Sequence, residues 1–118
     1  MGKSLAYQVA TASHDIYVIE LSSFQLENMY DFKADIAVLL NITPDHMDRY
    51  DHKMENYVAA KFRIIRNQGP DDCFIYWQDD PVITAQLAQM KLHSRMLPFS
   101  ERHTEQAAAW IDGDMMVV

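Results

Sequence analysis

Three short apolar runs, residues 16–21, 36–40 and 73–77, are separated by stretches in which apolar side chains recur every three to four positions. The first two runs are rich in Ile and Val and lack alternation. This is the pattern of parallel strands covered on both faces. Helical periodicity is expected over 4–11, 54–67 and 81–92, the last opening on Pro81 in a first turn. A further strand is expected at 95–99, and a hairpin over 107–118 around Asp112-Gly113. Strands alternating with helices predict an α/β fold, a mainly parallel sheet flanked by helices with a C-terminal β-hairpin. In such sheets ligands bind beyond the carboxyl ends of the strands, so the residues that follow the first two runs are the ones to read.

At 118 residues the chain suffices for one small domain, and its 49% hydrophobic and 23% charged residues are ordinary for a globular protein. A formal net charge of −7 without any Lys/Arg-rich run argues against nucleic acid as a partner. The single Cys73 admits no internal disulfide and fits a cytoplasmic location. No apolar stretch approaches the roughly 20 residues of a membrane helix, so no membrane partner is expected. The apolar Met115-Met116-Val117-Val118 at one end, and the lack of an apolar signal region at the other, read as a segment of a longer protein.

Residues 16–21 lead into Glu20-Leu21-Ser22-Ser23-Phe24-Gln25-Leu26. A carboxylate closing an apolar strand is costly to bury unless something positive meets it, and otherwise is simply solvated or caps a neighbouring helix. Residues 36–40 lead into Asn41-Ile42-Thr43-Pro44-Asp45-His46-Met47-Asp48-Arg49-Tyr50. Thr43 suits an N-cap and Pro44 the first helical position, which would put Asp45 and His46 in the first turn. There the acids suit the helix dipole, whereas His46 gains nothing from it. Glu20 and His46 at adjacent strand ends would serve a divalent ion. Magnesium prefers oxygen, manganese accepts imidazole more readily, and zinc lacks its usual partners here. On the 54–67 helix, Met54, Tyr57, Val58, Phe62 and Ile65 form the apolar face, and Lys61 falls on that face while Glu55, Arg63 and Arg66 point elsewhere. Lys61 is then either a snorkelling side chain or a partly desolvated amine of altered reactivity.

Taken together, Asn41-x-Thr43-x-Asp45-His46-x-Asp48, Lys61 fifteen residues after His46, and the string from Glu20 to Leu26 resemble the Mur ligase family. The Glu20 string, Asp48-Arg49-Tyr50 and Tyr57-x-Ala59-Ala60-Lys61 are most similar to its D-glutamate-adding branch. The resemblance implies an ATP-dependent acid–D-amino-acid ligase of peptidoglycan synthesis, with UDP-N-acetylmuramoyl-L-alanine and D-glutamate as substrates and ATP and magnesium as cofactors. It implies metal ligands Glu20, His46 and Lys61 as a carbamate, His46 and Lys61 as catalytic residues, Ser22 and Gln25 along the muramoyl substrate, and supporting roles for Asn41, Asp45 and Asp48. Residues 1–118 would form the C-terminal part of the central ATP-binding domain, without phosphate loop or C-terminal domain. Gly2-Lys3-Ser4 imitates the end of that phosphate loop but has no glycine run before it, and Gly2 is read instead as the end of a substrate loop. Such a piece alone is expected to be inactive. The competing readings are a sibling ligase, including one that adds glutamate to folate, a non-catalytic α/β binding module, and a metal-dependent hydrolase using His46 and Asp48.

Overall fold

The computed structural model describes residues 4–44, 47–50 and 52–118, with the side chains of Met47 and Arg49 left aside. Asp45 and His46, and with them Gly2 and Lys3, lie outside the described residues. The elements run α1 (Leu5–Thr11), α2 (Ser23–Glu27), β1 (Ile36–Leu39), a 3-10 turn (Met47–Tyr50), α3 (Met54–Phe62) with a 3-10 extension (Arg63–Ile65), β2 (Cys73–Trp77), α4 (Pro81–Leu87), β3 (Arg95–Ser100), β4 (Ala109–Asp112) and β5 (Met115–Val117). The five strands form one sheet in sequence order, β1 to β4 parallel and β5 antiparallel to β4. The expected α/β class, largely parallel sheet and terminal hairpin are all present. The hairpin turns one residue later than expected, on Gly113 and Asp114, with Gly113 at φ +61°. A positive φ at the first central position is what glycine supplies in a tight hairpin.

The core lies between one face of the sheet and α3. Ala37 and Leu39 of β1 and Phe74 of β2 meet Tyr57, Val58, Ala60, Phe62 and Ile65, while Ile83 of α4 closes one side. The apolar positions expected to face inward on α3 do so, with Met54 half-buried. The helix ends at Phe62 and tightens into 3-10 geometry rather than continuing to residue 67, and α4 ends at Leu87 rather than 92. Such short tightened ends satisfy carbonyls that a longer helix would leave without partners.

Two expectations about the strands fail. Residues 16–21 form no strand: among the described residues the run joins no ladder, and Val18 is 95% exposed. Apolar, β-branched composition favours a pleated, half-buried surface only where a neighbouring ladder offers one. β1 hydrogen-bonds β2 on one side and leaves its other edge without residues 16–21. Nor is β1 covered on both faces, because Ile36 and Val38 remain exposed while Ala37 and Leu39 are buried. Among the described residues no helix is long and apolar enough to cross a membrane.

Candidate functional site

Two adjoining cavities open beside the carboxyl end of β1. One, of about 370 Å³, is lined by residues 20–25 with Tyr57 and Lys61. The other, of about 320 Å³, shares Glu20, Leu21 and Lys61 and adds Val38, Leu39, Leu40, Asn41 and Ile64. Glu20 and Lys61 thus stand on both. Glu20 arrives on an irregular segment and not, as expected, at a strand end. It is solvent-exposed, which a carboxylate without a fixed partner requires.

Lys61 lies on α3 and is half-buried. Its Nζ stands 5.5 Å from the centroid of the Tyr57 ring, one helical turn earlier. This cation–π contact holds the amine at the cavity wall. Ser22 and Gln25 line the same cavity but are already engaged with each other. Ser22 is the N-cap of α2: its Oγ accepts from the Gln25 N–H at 3.3 Å, and its own N–H donates to Gln25 Oε1 at 2.9 Å. This reciprocal capping box fixes where the Glu20-to-Leu26 string turns into a helix. The Gln25 NH2 group, which the box does not use, is the donor that this edge can offer a ligand.

Asn41 lines the second cavity. The main chain beyond it is pinned from below: the backbone N–H of Ile42 donates to Asp80 Oδ2 at 2.9 Å, and Ile42 is buried in the core. Thr43 and Pro44 do not open a helix, since the described helical turn starts at Met47. The residue before a proline is driven toward extended geometry, which suits Thr43 in an irregular strand-to-turn passage. Asp48 faces neither cavity. Its side chain is 96% exposed and its Oδ1 lies 3.2 Å from His52 Nε2. Asp45 and His46, expected in the motif, fall outside the described residues. Among the described residues no group of three or more His, Cys, Asp or Glu gathers to hold an ion. Among the described residues, Glu20 and Asn41 bring side-chain oxygens to the cavity walls. These are hard donors of the kind magnesium accepts.

The geometry can be set beside known sequences. A family model described as the Mur ligase middle domain matches residues 2–115. The chain belongs to that family. It is 56% identical over 118 residues to the UDP-N-acetylmuramoylalanine–D-glutamate ligase of Bacteroides fragilis, covering all of this chain and 27% of that protein. It is 60% identical over 113 residues to the ligase of the same name from Porphyromonas gingivalis, covering 95% of this chain and 25% of that protein. The ligase of that name from Cytophaga hutchinsonii is 50% identical over 112 residues, again 95% of this chain and 25% of that protein. The chain spans about a quarter of the length of the curated relatives it matches.

As a Mur ligase middle domain, the chain gathers Glu20, Ser22, Gln25, Asn41 and Lys61 around one place and leaves Asp48 aside. Two residues of that place escape a sequence reading. Tyr57 reads as core and as part of the string that ends at Lys61, not as the partner of the amine, although its position four residues before Lys61 on a helix is the signal that its ring would lie beneath it. The other is Asp80, which caps α4 from the position before Pro81 and also bonds Ile42, 38 residues away, a pairing that no local pattern announces.

Proposed function

We propose that this chain is the C-terminal part of the central domain of a cytoplasmic, ATP-dependent ligase that joins D-glutamate to UDP-N-acetylmuramoyl-L-alanine in peptidoglycan precursor synthesis. One observation carries the reading: Glu20 and Lys61 share two cavities with Ser22 and Gln25 on one side and Asn41 on the other. Membership of the Mur ligase family and the names of the relatives support it.

Forming an amide from a carboxylate requires a better leaving group than hydroxide. ATP transfers its terminal phosphoryl group to the muramoyl-alanine carboxylate, giving an acyl phosphate and ADP. The D-glutamate amine attacks the acyl carbon, loses a proton, and inorganic phosphate leaves. Little covalent work falls to the protein; it must position the groups and offset the negative charge. Magnesium, or manganese, supplies that neutralisation when bound. Glu20 and His46 are the residues we assign to hold it, with Asn41, Asp45 and Asp48 in supporting roles. Lys61, through its unprotonated amine, adds to carbon dioxide to form a carbamate and releases a proton, so that a side chain otherwise cationic becomes an anion. That anion is tolerable only beside a cation, so Lys61 belongs with the metal set. Ser22 and Gln25 lie along the muramoyl substrate, Gln25 through its free amide donors.

The test uses the complete protein that contains this segment, supplied with ATP, magnesium and both substrates. Amide product and phosphate should form together, and Lys61→Ala should lower turnover by roughly 100-fold or more, the scale of losing one charge-stabilising group. Acetate should restore part of it by filling the vacated anion position. Residues 1–118 alone should release no phosphate above a blank. Near-normal turnover of Lys61→Ala at saturating ATP and magnesium would overturn the carbamate role and leave Lys61 as a snorkelling side chain.

A further inference from the structure

Asp80 is 4% exposed, an unusual place for a carboxylate. Its two oxygens do different things. Oδ1 caps α4, accepting from the N–H groups of Val82 at 2.8 Å and Ile83 at 3.1 Å. Oδ2 accepts from the N–H of Ile42 at 2.9 Å, across a sequence gap of 38 residues. Capping α4 alone needs one oxygen, and Ser, Thr or Asn would serve as well. The second oxygen is what only a carboxylate provides here, because it must accept at both positions at once. The donor to it is the residue after Asn41, where the chain has left β1 and passes the cavity shared by Glu20 and Lys61.

We propose that Asp80 is a positioning residue: its second carboxylate oxygen fixes the strand-end segment from Asn41 to Pro44 to the β2–α4 turn, so that Asn41 faces the cavity of Glu20 and Lys61. The catalytic meaning of that placement rests on the ligase reading above; the anchoring does not. A buried N–H left without its acceptor costs more than an exposed one, so the segment has one low-energy path out of the sheet. The carboxylate touches no reacting group and acts through Asn41 and its neighbours.

Asp80→Asn separates the two jobs. The Asn oxygen still caps α4, whereas its NH2 group faces the Ile42 N–H donor to donor. Amide hydrogen exchange of this chain should show the Ile42 amide exchanging roughly 10- to 100-fold faster, the scale of losing one bond to a charged group. Val82 and Ile83 should stay within about threefold of the parent. Asp80→Ser, which caps but is too short to reach Ile42, should give the same pattern and serves if the Asn variant does not fold. In the complete enzyme, Asp80→Asn should raise the magnesium concentration for half-maximal rate roughly 10-fold, as when the support of a metal ligand is lost. Its rate at saturating magnesium should be largely retained. Unchanged exchange at Ile42, or equal acceleration at Ile42, Val82 and Ile83, overturns the proposal. If the unsubstituted complete protein makes no amide product, the ligase reading falls instead, and the Ile42 exchange still decides the anchoring.

Discussion

At the start of α2, Ser22 and Gln25 serve the fold before they serve any ligand. A sequence reading sees a Ser and a Gln in a family-like string and assigns them to the substrate, since function leaves the same mark as a good helix start. The capping box explains why these two residue types stand three apart: each satisfies a backbone donor that the first turn would leave without a partner. Ser22→Ala should therefore cost about 1 kcal/mol of stability in urea denaturation, the scale of a lost N-cap. The change should be confined to the lip of the first cavity, seen as amide shifts over residues 20–27. A neutral substitution would mean that α2 is held by the burial of Ser23 and Leu26 and not by its cap. Lys61 was legible for the opposite reason. It broke the pattern of its helix, a charge on the apolar face, and the structure meets that charge with the ring of Tyr57.

Among the elements, those whose pattern matched a local physical cause were readable. Ser4 caps α1, Asp80 and Pro81 open α4, and Gly113 turns the hairpin, each by a short-range rule. β1, β2 and β3 were readable because apolar runs and their ladders coincide. Residues 16–21 had the composition of a strand, but pairing is a property of two segments and composition belongs to one. The same distinction gives opposite mutational costs for similar residues. Phe74 is fully buried, stacked on Tyr76 at 5.2 Å and edge-on to Phe62 at 6.3 Å. Phe74→Ala should cost about 3–5 kcal/mol through lost transfer energy and the cavity left behind. Val18→Ala, in a run that reads as equally strand-like, should change stability by no more than about 0.5 kcal/mol. Chemical denaturation of both variants measures the difference. A loss of several kcal/mol at Val18 would restore residues 16–21 to the core.

At the scale of the whole molecule, β2 is held at both ends by carboxylates, and this sets the response to acid. Just before its first residue, buried Asp72 accepts from the Gly69 N–H at 2.7 Å and from Lys33 Nζ at 3.2 Å. The Gly69 bond, aided by Lys33 and opposed by burial, keeps the Asp72 carboxyl below its ordinary range. Beyond its last residue, burial pushes Asp79 up but is outweighed by the Glu101 N–H, the Ser100 hydroxyl, the Trp77 indole N–H and the charge of Arg102, so this carboxyl also sits low. Both groups bind protons more readily in the unfolded chain. Their contribution is therefore present above the unfolded carboxylate value, about 4, and is lost as pH falls through the lower folded values. The same protonation removes negative charge from a molecule with 17 acidic residues against 10 Lys and Arg, and converts net repulsion of one sign into the other. Asp72→Asn combined with Asp79→Asn should be less stable than the parent at pH 7. It should also lose less stability between about pH 5 and pH 2, because the two depressed carboxyls no longer take up protons on unfolding. Urea midpoints measured across that range decide it. An acid slope as steep in the double variant as in the parent would place the acid sensitivity in the remaining carboxylates and in general charge repulsion, and would remove the two ends of β2 as its cause.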